Sequence, residues 1–289
     1  MIQQGKIIKQ ISNDYTVKVE NNLIVCKARG KFRNLGITPL VGDNVIFENN
    51  YILDILPRKN ELIRPSIANV DQAVIVMSTT IPAFSTDLLD RLLCIIEYNN
   101  IKPIIYISKM DLLTDDEINN INKYIEYYKK IGYKVYNDLS IKDVFKNKIT
   151  VFVGQSGAGK STLLNKLDNK LNLQTGKVSV ALGRGKHTTR HVELLDLLDG
   201  MIADTPGFSK LSFIDMSNSD IRDNFIEFNK YRESCEYQDC MHNNEDNCEI
   251  KKMVNNGTIL KSRYDNYIKF IENKVIKWFL LLFFQLKII

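Results

Sequence analysis

GQSGAGKST occupies Gly154–Thr162, and the architecture of the whole chain turns on how it is read. It fits the pattern GxxxxGK[ST], in which glycines let the backbone curl so that successive N–H groups converge on phosphate oxygens. The apolar run ITVFVG (149–154) leads into it, and a helix is expected from Lys160, whose N-terminal end adds positive potential. In this reading Gly154, Gln155, Ser156, Gly157, Ala158, Gly159, Lys160, Ser161 and Thr162 wrap a nucleotide's phosphates. Lys160 reaches the β- and γ-phosphates, and Ser161 places its hydroxyl on Mg2+. A chance glycine turn is the bland alternative, and the flanking strand and helix speak against it. A loop of this kind normally opens its domain, yet here a long prelude comes first.

Downstream, DTPG (Asp204–Gly207) closes another apolar run, GMIADT. Asp204 there can hold Mg2+, directly or through water, and the Gly207 N–H can meet the γ-phosphate. Between the two lies GRGKHTTR, Gly183–Arg190. A mobile loop carrying threonine could close over Mg2+ and the γ-phosphate; Thr188 and Thr189 both qualify, and a plain surface turn is the alternative.

Upstream, SKMD (Ser108, Lys109, Met110, Asp111) follows the apolar strand KPIIYIS (102–108). It fits the guanine-reading pattern NKxD with Ser in place of Asn. The Asp111 carboxylate can accept from guanine N1–H and N2–H2, a donor pair adenine lacks, which disfavours an ATPase. Lys109 can lay its stem along the ring plane. In the ordinary order this motif comes after D-x-x-G; here it precedes the phosphate loop. The domain is therefore read as circularly permuted, its original ends joined through the 138–149 connector and its cut placed after DTPG. That cut makes the segment which senses the γ-phosphate lead straight into the C-terminal region, a short covalent lever.

The rest of the prelude has its own pattern. KIIKQIS, YTVKVE, LIVCKARG, VGDNVIFE and YILDILP read as five short strands separated by turns, most simply a small closed barrel of the OB type. Residues 1–65 carry ten Lys/Arg against six Asp/Glu, with Lys27, Arg29, Lys31 and Arg33 close together in CKARGKFR. That patch reads as a solvated basic edge or as an RNA-facing surface. From AVIVMSTT (73–80) onward, buried strands alternate with helices: a helix with Leu88, Leu89, Leu92, Leu93 and Ile96 on one face, KPIIYIS, a helix near 115–131, and YKVYN (133–137). HVELLDL and GMIADT follow the glycine-rich loop, and the alternation predicts a doubly wound parallel sheet. After about 212 the chain turns helical and polar, with a last amphipathic helix from about 257.

CEYQDCMHNNEDNC places Cys235, Cys240, His242 and Cys248 at metal-ligand spacing. Three thiolates and an imidazole suit one tetrahedral, structural Zn2+ with no position open for catalysis. Cys26 and Cys94 lie in apolar patterns and are read as core. The 289 residues carry five cysteines, an odd count that argues against a disulfide framework. No apolar stretch opens MIQQGKIIKQ, so a reducing, cytoplasmic setting is expected. Net charge is +5, which permits a polyanionic partner without demanding one. The tail WFLLLFFQLKII (Trp278–Ile289) is shorter than the roughly 20 residues a spanning helix needs. It is read as a packed or frayed helix end, an interfacial anchor or a partner contact, with no stable membrane insertion. No oligomerisation signal stands out, and a monomer is expected.

Taken in order, the barrel, PRKNELIRPSIANVDQ (57–72), SKMD, GQSGAGKST, GRGKHTTR, DTPG and the Cys-Cys-His-Cys cluster resemble the circularly permuted, small-ribosomal-subunit-dependent GTPases known as RsgA or YjeQ, over roughly residues 5–273. The resemblance implies an OB domain, a permuted GTPase domain and a mainly helical zinc-binding domain, here 1–66, 67–211 and 212–277 with the tail at 278–289. It also implies GTP hydrolysis to GDP stimulated by the small subunit, contact with its rRNA, and a role late in its maturation. Ser108 departs from the common Asn and is expected to weaken guanine affinity. Many GTPases orient the attacking water with Gln just after D-x-x-G, but that place is Phe208. His187 is the replacement expected here, beside Lys160, Thr188 and Thr189 as catalytic groups. The competing function class is an RNA-binding clamp in which nucleotide only locks the shape.

Overall fold

Short alternating strands joined by tight turns build the N-terminal region. The structure, a computed structural model, describes residues 1–63, 66–169, 192–204, 213 and 215–272. Its first strands are β1 (Gln3–Ile11), β2 (Asp14–Val19), β3 (Asn22–Ala28), β4 (Asn44–Glu48) and β5 (Tyr51–Ile55), with a short helix α1 (Gly30–Asn34) after β3. Ser12, Glu20, Asn49 and Asn50 sit at the turns with φ between 48° and 64°, the left-handed backbone that tight hairpins require. The order β1-β2-β3-β5-β4 returns to β1, which closes the five-stranded barrel expected from the sequence. Ile7, Tyr15, Val17, Cys26, Val45, Phe47 and Ile52 fill its interior, so Cys26 is a core residue. A small hairpin follows, β6 (Glu61–Ile63) with β7 (Ser66–Ala68).

The second half of the sheet contains β8 (Gln72–Ser78), β9 (Lys102–Ser108), β10 (Lys134–Tyr136), β11 (Ile149–Val153), β12 (Glu193–Leu197) and β13 (Gly200–Asp204). Their order is β10-β9-β8-β11-β13-β12. β9, β8, β11 and β13 pair in parallel. Every residue of β8 and β11 is buried, as expected for strands covered on both faces. The uniform parallel pattern ends at β12, which runs antiparallel to β13 through Leu198 and Asp199 at φ 47° and 58°. Two residues can turn a chain back on itself but cannot make a parallel crossover.

β12 also pairs with β1, Glu193 opposite Lys9, so barrel and α/β strands form one eleven-stranded sheet. Lys9 Nζ donates to both Glu193 carboxylate oxygens at 2.9 Å. Lys18 Nζ donates to Asp196 at 2.7 and 2.8 Å. These strands belong to one compact unit, 1–83, 99–113 and 135–210.

The other unit comprises 84–98, 114–134 and 211–289. It gathers α2 (Thr86–Tyr98) and α3 (Asp115–Lys130), which flank β9 in the chain, with the C-terminal helices α5 (Asn218–Asp223), α6 (Ile226–Asn229), α7 (Glu249–Asn255) and α8 (261–272). The remaining helix, α4 (Lys160–Leu167), belongs to the first unit. α3 begins with a capping box: the Thr114 N–H and hydroxyl both donate to Glu117 Oε2 at 2.9 Å. α8 starts at 261 and not near 257, because Gly257 at φ 76° ends α7 and a turn follows. On α2, Leu89, Leu92, Leu93 and Ile96 are buried as expected and Leu88 is half-buried. Cys94 is a core residue of this unit, packed among Ile221, Phe225, Phe228, Tyr267 and Phe270.

Candidate functional site

Because β8, β9 and β11 run in parallel, their C-terminal ends share one edge, where α/β sheets place ligands. The phosphate loop springs from β11. Gly154, Gly157 and Gly159 hold φ of 137°, 79° and 97°. A Cβ on Gly154 would lie 2.3 Å from the Val76 carbonyl oxygen, so both the angle and the close approach require glycine. Gly159 caps the N-terminus of α4. Gln155, Ser156 and Gly157 are exposed on the loop, with Ser161 half-buried and Thr162 exposed at the start of the helix. Lys160 Nζ donates to the carbonyls of Gly154 and Gln155, both at 2.7 Å, and burial lowers its pKa.

SKMD (108–111) meets this loop directly. The Ser108 hydroxyl donates to the Ala158 carbonyl at 2.6 Å, with a longer approach of 3.3 Å to Met77 O. A Cβ on Gly159 would come 3.4 Å from Ser108 Oγ, so the small residues pack edge to edge. Lys109 sits at φ 62° and its Nζ donates to Gly157 O at 3.0 Å and to Ile81 O. The ammonium reaches phosphate-loop and β8-loop carbonyls, an anchorage the sequence did not suggest. Thr79, also unforeseen, offers its hydroxyl to Lys109 O at 2.9 Å and Ser108 O at 3.2 Å. Asp111 is exposed in the short turn Met110–Leu112. Burial, then the charges of Asp138 and Asp111, raise the Tyr106 pKa. The Asp138 carboxylate accepts from Ser140 N at 2.9 Å.

Asp204 ends β13 with its backbone opposite Glu193. Its side chain, the whole of GRGKHTTR with His187, Thr188 and Thr189, Gly207, Phe208 and the apolar tail lie outside the described residues.

The cysteine cluster converges as its spacing implies. The ligand atoms of Cys235, Cys240, His242 and Cys248 all lie within 4.8 Å of one another. His242 Nδ1 is the nitrogen that faces sulfur, 3.3 Å from Cys248 Sγ and 3.6 Å from Cys235 Sγ. The ring is fully buried in a T-shaped contact with Phe228. Burial, then the charge of Arg222, lowers its pKa to about 4, which leaves the imidazole neutral and able to donate a lone pair. Burial raises the thiols of Cys240 and Cys248. Buried sulfurs this close ionise together only around a cation, so the donor set fits a soft divalent metal. The ligand loop is pinned from outside. Glu245 accepts from Met241 N at 2.7 Å and Asn243 N at 2.8 Å. Tyr264 OH donates to His242 O at 2.7 Å, and Tyr267 OH to Met241 O at 2.5 Å.

On the outside of the barrel, β3 turns Leu23, Val25 and Lys27 to solvent, and Tyr51 of β5 pairs opposite Lys27. Arg29 and Lys31, next along the chain, are exposed as well. Apolar, aromatic and basic groups side by side suit bases and phosphates together.

Comparison with known proteins gives consistent matches. A family profile described as RsgA GTPase matches residues 55–214, and one described as RsgA N-terminal domain matches 4–51. The small ribosomal subunit biogenesis GTPase RsgA 2 of Oceanobacillus iheyensis is 49% identical, over 93% of this chain and 96% of its own length. The small ribosomal subunit biogenesis GTPase RsgA of Enterococcus faecalis is 46% identical, over 94% and 96%. Among solved structures, YloQ, described as a circularly permuted GTPase, superposes with a TM-score of 0.81 at 42% identity, covering 94% of this chain and 95% of that one. YjeQ from Thermotoga maritima superposes with a TM-score of 0.83 at 32% identity, covering 94% and 98%.

Proposed function

This chain belongs to the RsgA GTPase family, and from that premise we propose that it hydrolyses GTP to GDP and phosphate when the small ribosomal subunit stimulates it, late in maturation of that subunit. The observation that carries the site reading is the bonding of Ser108 and Lys109 to Ala158 and Gly157. These bonds bring 108–111 against the 154–162 loop, which supports the reading of a nucleotide with its base at Asp111 and its phosphates along 154–162.

In this proposal Asp111 accepts from the guanine edge, the loop N–H groups cradle the phosphates, and Lys160 turns from loop carbonyls to phosphate oxygens. Ser161 and Asp204 hold Mg2+, which supplies charge neutralisation on the phosphates. Gly207 meets the γ-phosphate, Thr188 or Thr189 closes the site, and His187 orients the attacking water. Catalysis is then mainly positioning and charge stabilisation. Zn2+ is the metal proposed for Cys235, Cys240, His242 and Cys248, in a structural role supported by a donor set of three sulfurs and one imidazole nitrogen. The exposed face of β3 and β5 is the proposed rRNA contact. Division of labour follows 1–66, 67–211 and 212–277, in a cytoplasmic monomer.

The test is GTP turnover by the whole protein, with and without small subunits, for the parent and for Asp111→Asn. Strong stimulation in the parent, with the variant losing its preference for GTP, is the expected result. Turnover that small subunits leave unchanged would favour an RNA clamp whose nucleotide only locks its shape.

A further inference from the structure

β8 and β9 stop at the same rung, and the residue that follows β8 reaches over to its neighbour. The two strands pair in parallel from Gln72 opposite Lys102 to Ser78 opposite Ser108, and the ladder ends there. Past a last rung the backbone loses its regular partners, and other groups must supply the bonds. Thr79, half-buried, is the next residue after β8. Its N–H donates to Ser108 O at 3.3 Å. Its hydroxyl lies 2.9 Å from Lys109 O and 3.2 Å from Ser108 O. A hydroxyl carries one proton, so the shorter contact, to Lys109 O, is the stronger bond. Thr79 thus extends the pairing by one peptide, with a side chain where the strand has run out.

That peptide is where the chain leaves the sheet. Lys109 has φ 62° and ψ 29°, a left-handed backbone that a lysine adopts only at a cost. The turn Met110–Leu112 follows at once. Leu112 N donates to Lys109 O at 3.2 Å and Leu113 N to Met110 O at 3.3 Å, both long for N–H donors. The Lys109 carbonyl therefore accepts from two sides, from Leu112 within the turn and from Thr79 outside it. Lys109 Nζ is anchored separately, on Gly157 O and Ile81 O. Asp111 has no anchor of its own. It is exposed, and among the described residues no hydrogen bond or ion pair holds its carboxylate. The direction in which that carboxylate points is set by the backbone that carries it.

We propose that Thr79 is a positioning residue for guanine selection: its hydroxyl fixes the Lys109 carbonyl and with it the turn that presents Asp111. The inference rests on the reading of Asp111 as the guanine acceptor. Accepting from N1–H and N2–H2 together requires the carboxylate to lie near the plane of the base, so a small tilt of the turn weakens both bonds. Thr79 has no hydrogen bond to the 154–162 loop, so phosphate binding does not depend on it.

The experiment compares Thr79→Val, which keeps the branched shape and removes the hydroxyl, with Thr79→Ser, which keeps the hydroxyl. GDP and ADP affinities, kcat and KM for GTP with small subunits present, and thermal unfolding are measured on the full chain, with Asp111→Asn as reference. Thr79→Val is expected to weaken GDP binding and raise KM by about three- to tenfold, the worth of one hydrogen bond. kcat and ADP affinity should stay at parental values, so the guanine preference narrows. Thr79→Ser should bind GDP as the parent does. In the Asp111→Asn background Thr79→Val should cost nothing further, because the group it positions is gone. Equal losses for GDP and ADP, a serine variant as weak as the valine one, or a further loss in the double variant would each overturn the proposal. So would a lower unfolding temperature with GDP affinity untouched, which would make Thr79 framework. If Asp111→Asn retains the guanine preference, the site reading itself fails; a preference lost there but kept in Thr79→Val defeats the positioning role alone.

Discussion

Lys160 in the phosphate loop and Arg263 in the helical unit are both cations bonded to oxygens of their own chain, yet their surroundings differ in kind. Lys160 is half-buried and bonded to two neutral carbonyls, and among the described residues no carboxylate pairs with it. Arg263 is buried and faces two carboxylates. Burial would lower the Arg263 pKa, but Glu227 and Asp90 carry it well above the usual value, whereas for Lys160 burial acts alone and downward. A cation with only neutral partners keeps its charge for an incoming anion; one already neutralised has spent it on the fold. On the proposed reading, that difference sets Lys160, a phosphate-binding group, apart from Arg263, which is framework.

The largest effect expected tests the framework side. Stripping the metal proposed for Cys235, Cys240, His242 and Cys248 should remove an interaction worth about 10 kcal/mol or more in small metal-folded domains. The helical unit should lose cooperative unfolding, seen as a drop in helical circular dichroism and in Tm after treatment with a strong chelator. An unchanged melt would show that the unit's aromatic core alone suffices. Next comes Arg263→Ala, which leaves Asp90 and Glu227 buried without their cation. The expected loss is about 3–5 kcal/mol of stability, measured by denaturant unfolding. Replacing Asp90, Glu227 and Arg263 together by Asn, Gln and Met should recover much of it, because no charge is then stranded. Lys160→Ala sharpens the contrast from the other side. GTP turnover should fall by about 100- to 1,000-fold while the unfolding midpoint stays put, since no buried partner is orphaned. A large loss of stability there would mean that Lys160 is framework after all.

The same distinction explains what could be read from the chain. Phosphate binding, base reading and metal ligation each impose fixed local spacing, so 154–162, 108–111 and 235–248 stand out as strings. Alternation exposed the barrel strands, and unbroken apolar runs exposed β8, β9 and β11. Framework polarity leaves no such trace. Asp90 sits between Leu89 and Arg91 on α2, and its partner Arg263 is 173 residues away. The seam between barrel and sheet rests on Lys9 and Glu193, 184 residues apart. The grouping of α2 and α3 with the C-terminal helices follows from such distant pairs, and no period or propensity announces them. Thr79 escaped notice for a different reason, since a hydroxyl that holds carbonyls of the next strand belongs to no motif.

Ser108 is where the two kinds of polarity meet, and it gives the smallest effect and the finest test. Its hydroxyl is buried and spent on the chain, as framework is, but the oxygen it holds belongs to the phosphate loop. The serine at the Asn position is expected to weaken guanine binding, and its hydroxyl is bonded to a carbonyl of the 154–162 loop. Ser108→Ala should therefore loosen Ala158 at a cost of about 1 kcal/mol, near a fivefold weaker affinity for GDP. Ser108→Thr, which keeps the hydroxyl, should restore it. The loss should be shared by every nucleotide that uses the loop, so the ratio of guanine to adenine affinity stays constant. Competition titrations of GDP and ADP on the parent and on Ser108→Ala decide, and a narrowed ratio in the variant would assign this serine to base reading and not to the loop.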